Sequence, residues 1–115
     1  MHAMRTLSRV ISIMALSSAC SSDRQDLYDR VEHHYADSDG VRIHYVTVGQ
    51  GPLVVMIHGF PDYWYSWRHQ MEALSKDHRV AAMDMRGYNR SDKPKGVESY
   101  GMAHLIDDLA AVVRD

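Results

Sequence analysis

The sequence predicts an α/β fold in which a mostly parallel sheet carries two helices. Residues 53–57 are an unbroken apolar run, which is typical of a strand buried on both faces. Strand-like and helix-like segments alternate after that run, as they do around parallel crossovers. No strand pattern follows the second helix, so we expect a truncated sheet that holds the amino-terminal strands and the first two helices.

The first predicted elements form a hairpin. Two strand-like stretches, 33–37 and 41–48, flank Asp39-Gly40, a dipeptide that favours a tight turn. In the second stretch apolar residues alternate from Val41 to Tyr45. This alternation predicts a strand with one buried face.

A helix and another strand should follow the apolar run. Trp64, Trp67, Met71 and Leu74 recur at helical spacing, which predicts an amphipathic helix over residues 63–75. Residues 79–83 are short and mostly apolar, so they are predicted to form a second buried strand.

The last predicted element is a helix that begins near Ser99. Its periodicity places Leu105 and Leu109 inward, and it places Asp107 and Asp108 in solvent. The two aspartates are expected to share a solvated face with His104 rather than to form a catalytic pair.

The amino end has the layout of a secretory signal peptide over residues 1–20. Arg5 and Arg9 precede an apolar run that is too short to span a bilayer, and small residues follow it. Cys20 then resembles the lipidated cysteine of a lipobox, although Ser17 stands where a leucine is usual. Export to the periplasm or cell envelope is expected, and a lipid anchor at Cys20 is the one membrane contact that the sequence leaves open. An unlipidated signal, or a cytoplasmic chain that starts at Met4, stays open.

The rest of the chain is divided by composition. Residues 21–31 are polar and are expected to be a linker, and residues 32–115 carry the dense pattern of a folded domain. The chain has 13 Lys and Arg against 15 Asp and Glu, so no basic field is present to bind nucleic acid. Its single cysteine excludes an intrachain disulfide.

The stretch 58–62 is the best candidate for a functional loop, because ligand sites of α/β proteins lie at the carboxyl ends of strands. Gly59 permits close backbone approach, and a cis bond between Phe60 and Pro61 would fix the direction of the Phe60 amide. A backbone N–H directed in this way stabilises an oxyanion. The alternative is a plain turn in which His58 satisfies a local hydrogen bond.

Three motifs resemble the epoxide hydrolases of the α/β-hydrolase fold family. They are HGFP at 58–61, WYSWR at 64–68 and DMRGYNRSDKP at 84–94, and they occur in the family's order and spacing. The resemblance runs from about Glu32 to Asp115. It implies the α/β-hydrolase fold, of which this chain is similar to the amino-terminal part.

The resemblance also implies a mechanism that needs no cofactor and no metal. An aspartate on a nucleophile elbow attacks a small-molecule epoxide, two tyrosines protonate its oxygen, and a histidine oriented by a carboxylate activates the water that cleaves the ester. It assigns the Phe60 backbone N–H to the oxyanion hole. It also assigns loop-shaping or pocket positions to five residues: His58, Gly59, Pro61, Asp62 and Trp64.

The sequence departs from the family in one respect. It contains no Gly-x-Asp-x-Gly or Gly-x-Ser-x-Gly elbow. The nucleophile, the orienting acid and the histidine are therefore expected beyond Asp115, and this chain is expected to be inactive alone. A haloalkane or haloacetate dehalogenase, a serine esterase of the same fold and a truncated non-catalytic gene product are the alternatives.

Two further groups of polar residues stand out in the sequence, one for metal binding and one for a contact across a turn. His33 and His34 are adjacent but have no second ligand pair at a suitable spacing, so they are expected to belong to a polar strand rather than to a metal site. Asp84 and Arg86 are expected to pair across the turn that follows the second buried strand.

Overall fold

The computed structural model describes residues 26–115, which form one sheet with helices on both faces. The sheet has four strands in the spatial order β1-β2-β4-β3. In chain order they are β1 (Glu32–Ser38), β2 (Val41–Val48), β3 (Leu53–Ile57) and β4 (Arg79–Met83).

Within residues 26–115, three α-helices and two 3-10 turns connect and cover these strands. The α-helices are α1 (Leu27–Arg30), α2 (Arg68–Leu74) and α3 (Met102–Arg114). The 3-10 turns are Trp64–Trp67, which leads into α2, and Val97–Tyr100, which precedes α3.

The sheet confirms the α/β class, but within the described residues it is mixed and not mostly parallel as expected. β3 pairs with β4 in parallel, whereas β2 pairs antiparallel with both β1 and β4. The predicted hairpin explains the antiparallel pairing of β1 with β2. Asp39 and Gly40 have φ of 50° and 85°, the positive values that a two-residue turn needs to match strand twist.

The core lies on both faces of the sheet. On one face the strands pack against the segment between β3 and β4, and Trp64 and Met71 are fully buried there. On the other face they pack against α3 through Ala111 and Val112. β2 lies between β1 and β4, so His44 and Val46 are buried as well as Ile43. The expectation of a single buried face for this strand was therefore too narrow.

The packed domain extends upstream of Glu32. Leu27 and Val31 are 3% and 8% exposed and belong to the core beside Trp64. The carboxyl end of the expected linker 21–31 is thus helix α1, followed by the buried Val31. The predicted signal peptide and Cys20 lie outside the described residues.

Both predicted helices are present with shifted bounds. The expected continuous helix over 63–75 is divided at Trp67, where 3-10 geometry passes into α2. The last helix begins at Met102 rather than near Ser99, because Gly101 is extended (ψ 156°) between the 3-10 turn and α3. Within residues 26–115, no helix has both the length and the apolar character that crossing a bilayer requires.

Candidate functional site

The loop 58–62 lies where the two parallel strands end together. Ile57 and Met83 are register partners, so the loop after β3 and the turn after β4 leave the sheet side by side. The bond Phe60-Pro61 is cis, as predicted. Phe60 is 86% exposed, and the loop therefore lies open to solvent at this edge of the sheet.

His58 joins this loop to the neighbouring turn. Its Nε2 accepts the Met85 N–H at 3.0 Å, and its Nδ1 lies 2.8 Å from the Gly59 carbonyl oxygen. Because Nε2 accepts, Nδ1 must carry the proton and donate to Gly59, which is the neutral Nδ1-protonated ring. The ring is buried and contacts the Tyr88 ring edge-on, with centroids 4.9 Å apart. The local hydrogen bond expected of His58 is present, together with a second bond that links two loops.

Asp84 fastens the other end of the loop. Asp84 directly follows β4 and is fully buried. Its Oδ1 accepts the Trp64 N–H at 2.9 Å. Its Oδ2 accepts from His44 Nδ1 at 2.6 Å and from Asn89 Nδ2 at 2.9 Å. Burial by itself raises the pKa of Asp84, but these hydrogen bonds outweigh burial and hold the pKa below its ordinary value. The carboxylate therefore stays ionised and serves both the loop and the turn.

Asp84 and Arg86 do not pair with each other, contrary to the prediction. The Arg86 guanidinium instead contacts Asp108 of α3 through two hydrogen bonds of 2.6 and 2.5 Å. Asp108 is 1% exposed, so its predicted place on a solvated face was wrong. The prediction failed because an apolar helical stripe can include one charged residue when a buried partner neutralises it.

Trp64 packs beneath the loop instead of lining an open pocket. It is fully buried in the core, and its ring lies 5.3 Å from that of Tyr28, which belongs to α1. Of the two roles expected for Trp64, the described residues show packing. Asp62 is exposed, and its Oδ1 accepts the Tyr63 N–H at 3.0 Å. A Cβ on Gly59 would meet no atom within 4 Å, so close packing does not explain this glycine.

Sequence reasoning missed two residues that support the site, His44 and Ser91. Ser91 Oγ accepts the His44 N–H at 2.9 Å and donates to the Asp84 carbonyl oxygen at 2.6 Å, which docks the turn after β4 onto β2. Both residues are buried. The sequence did contain a signal for His44, because a histidine inside a largely apolar strand indicates a buried hydrogen-bond partner.

An apolar groove of about 240 Å³ lies next to the loop. Its walls are the ends of β3 and β4 on one side and α3 on the other; examples are Ile57, Met85 and Leu109. A groove of this composition suits an apolar surface, since its one carboxylate, Asp108, is paired with Arg86. Among residues 26–115 no cluster of three or more His, Cys, Asp or Glu is arranged to hold a metal ion.

Comparison with known proteins connects this geometry with a family. Residues 52–115 match the family model described as alpha/beta hydrolase fold. The chain is 44% identical over 79 residues to Epoxide hydrolase 2 of Caenorhabditis elegans, a match that covers 67% of this chain and 22% of that relative.

Two solved structures are similar in both fold and sequence. An epoxide hydrolase from Vigna radiata superposes with a TM-score of 0.72 at 40% identity, over 75% of this chain and 28% of that one. An epoxide hydrolase from an endophytic Streptomyces superposes with a TM-score of 0.71 at 49% identity, over 74% of this chain and 26% of that one. The chain thus spans about a quarter of the length of these enzymes. It belongs to the α/β-hydrolase fold family.

Proposed function

We propose that residues 32–115 supply the amino-terminal part of the catalytic domain of an epoxide hydrolase, which converts an epoxide to a vicinal diol without a cofactor. One observation carries the proposal. The loop 58–62, held by His58 and Asp84, places Phe60 directly after the carboxyl end of β3 in a chain 40–49% identical to epoxide hydrolases over this part.

The chemistry requires a backbone donor at this place. An aspartate that opens an epoxide becomes an ester, and attack of water on the ester carbonyl produces a tetrahedral oxyanion. The Phe60 N–H is the donor that would face this oxyanion. The nucleophile, the orienting acid and the general-base histidine have to come from residues beyond Asp115. The 115-residue chain is therefore inactive by itself.

A fusion tests this function. Residues 26–115 replace the matching segment of the Streptomyces enzyme, and diol formation from styrene oxide is measured for the fusion and for the unfused chain. The fusion should form diol, and the unfused chain should form none above a blank.

Two variants of the fusion test the role of Phe60. Phe60→Pro removes the N–H donor and should lower kcat about 100-fold, while Phe60→Ala keeps the donor and should leave kcat within about two-fold. Diol formation by the unfused chain, or an unchanged kcat in Phe60→Pro, would contradict the proposal.

The coding sequence beyond Asp115 separates the related alternatives. An in-frame Gly-x-Asp-x-Gly supports an epoxide hydrolase or a dehalogenase, and Gly-x-Ser-x-Gly supports a serine esterase. An immediate stop codon supports a non-catalytic product. Epoxide and haloalkane turnover by the protein so extended would then separate the two aspartate enzymes.

We also propose that residues 1–20 direct export to the cell envelope and that Cys20 is lipidated. Intact mass of the envelope-extracted protein tests this proposal. A mature chain that begins at Cys20 with an added lipid mass is expected, and an unprocessed cytoplasmic chain would contradict it.

A further inference from the structure

Two histidines lie in line with the buried Asp84. His44 Nδ1 is 2.6 Å from Asp84 Oδ2, and His44 Nε2 is 2.8 Å from Nδ1 of His33. His44 is fully buried in β2, whereas His33 lies on edge strand β1 and is exposed to solvent. The two rings stack with centroids 5.1 Å apart. A solvent-accessible histidine therefore ends a chain of hydrogen bonds that starts at a buried carboxylate.

Counting protons limits the protonation states that this series of hydrogen bonds allows. The Asp84 carboxylate only accepts, so His44 Nδ1 carries a proton and donates it. One proton then fits between His44 Nε2 and His33 Nδ1, on either nitrogen. If both rings become imidazolium, two N–H groups face each other across 2.8 Å and the hydrogen bond is lost.

The groups around His33 oppose its protonation. Arg90, on the turn after β4, brings its Nη1 to 3.4 Å from His33 Nδ1. Partial burial of the ring against His44 lowers the pKa of His33 below its ordinary value of 6.5, and the charges of His44, Arg90 and His34 lower it further, against the opposing pull of Asp84.

The other neighbours of His33 within residues 26–115 provide no counter-charge. Tyr28 of α1 and Trp64 contact its ring, with centroids 6.4 and 6.2 Å away. The neighbouring Glu32 contacts His34 instead, at 3.8 Å.

We propose that the His33–His44 contact is an acid-sensitive latch, which holds strand β1 against β2 while the two rings share one proton and opens when both rings are protonated. The direction of the pH dependence follows from the linkage between proton binding and opening. A histidine whose pKa is lower in the folded state than in the unfolded state takes up a proton on opening, so the closed form is favoured above about pH 6.5 and weakens below it. β1 pairs only with β2 among the described strands, and His33 supports Tyr28. Opening therefore loosens β1 and α1 and leaves the central pair β2-β4 in place.

Hydrogen exchange read by mass spectrometry tests the latch on the full 115-residue chain. Protection factors, corrected for the intrinsic effect of pH on exchange, are measured between pH 7.5 and 5.0 for peptides that cover β1 and β4. Protection of β1 should fall by about ten-fold over this range, while that of β4 changes by less than about two-fold.

Three variants locate the effect at His33. His33→Gln cannot become charged and should keep β1 protected at pH 5.0. His33→Lys carries a permanent charge but still donates to a neutral His44 ring, so it should keep protection at pH 7.5 and lose it toward pH 5.0. His69→Gln, which changes an exposed histidine of α2, should follow the wild-type profile.

Several outcomes would overturn the latch. They are a flat wild-type profile for β1, a parallel fall in β1 and β4, and a His33→Gln profile that still falls with pH. A His33→Gln chain that is unfolded at pH 7.5 would also contradict it, since the latch acts only on an edge strand. None of these readouts depends on catalysis, so the latch stands or fails apart from the proposed function.

Discussion

Arg86 and Asp108 form a buried ion pair that fastens helix α3 to the turn after β4. Arg86 Nε donates to Asp108 Oδ2 at 2.6 Å and Nη2 donates to Oδ1 at 2.5 Å, and Nη1 donates to the Ser99 carbonyl oxygen at 2.7 Å. The side chains are 4% and 1% exposed. The hydrogen bonds from Arg86 to Asp108 raise the pKa of the guanidinium. The Arg86 guanidinium therefore remains charged within the buried pair.

Breaking this pair should destabilise the fold strongly. Asp108→Asn leaves the buried guanidinium without its counter-charge, and we expect the free energy of unfolding to fall by about 3 kcal/mol. The adjacent Asp107 is exposed on the same helix, so Asp107→Asn should change it by less than about 0.5 kcal/mol. Urea unfolding measures both. Equal changes in unfolding free energy in the two variants would show that the Arg86–Asp108 pair does not stabilise the fold.

Two methionines provide a matched test of the core. Met71 of α2 is fully buried against Trp64, whereas Met102 at the start of α3 is 70% exposed. Met71→Ala should cost about 2–5 kcal/mol because it leaves a cavity, and Met102→Ala should cost less than about 0.5 kcal/mol. Thermal or urea unfolding compares them. A cost for Met71→Ala as small as that for Met102→Ala would contradict the packing described for α2.

Two glycines separate backbone strain from lack of space. Gly40 and Gly49 have φ of 85° and 83°, so an alanine is strained to a similar degree at both positions. A Cβ on Gly40 meets nothing within 4 Å, whereas one on Gly49 would overlap the His78 carbonyl oxygen and approach the Ser75 carbonyl oxygen to 2.7 Å. Gly40→Ala should cost about 1 kcal/mol, and Gly49→Ala should cost clearly more. Equal unfolding free energies in the two variants would refute this close approach.

The ionised Asp84 should make the free energy of unfolding fall at low pH. Its pKa is lower in the folded protein than the ordinary 3.8, so its contribution is full above the unfolded value and is lost as pH falls toward the folded one. Unfolding free energy should therefore fall below about pH 4 in the wild type. Asp84→Asn should be less stable at pH 7 and show a shallower fall below pH 4.

The control for Asp84 is Asp62→Asn, because Asp62 is an exposed carboxylate on the neighbouring loop. It should reproduce the wild-type pH profile. If Asp84→Asn and Asp62→Asn both followed the wild type, the acid sensitivity would have to come from other groups.

The secondary structure was predictable where its cause is local. The Asp39-Gly40 turn, the apolar run of β3 and the helical spacing of Trp64 and Met71 each depend on residues a few positions apart, and all three elements are present. The helix bounds were less predictable. The shift to 3-10 geometry before α2 places Trp64 N–H where Asp84, 20 residues away, accepts it, and periodicity carries no information about such a partner.

The support of the candidate site was predictable only in part. The motif 58–62 marked the loop, and the cis bond at Phe60-Pro61 was expected and is present. The roles of His44 and Asp108 were not foreseen. Their partners stand 40 and 22 residues away, and an alternation of apolar and polar residues assigns a polar side chain to solvent unless the partner is known.

The sequence by itself determined the fold class, the order of the elements and the loop that carries the Phe60 amide, because turn preferences and apolar periodicity are local properties. Only the tertiary structure decided which charges are buried and with which partners. Burial of Asp84 and Asp108 depends on hydrogen bonds that form after distant segments meet, and it is those contacts that make a buried carboxylate stable.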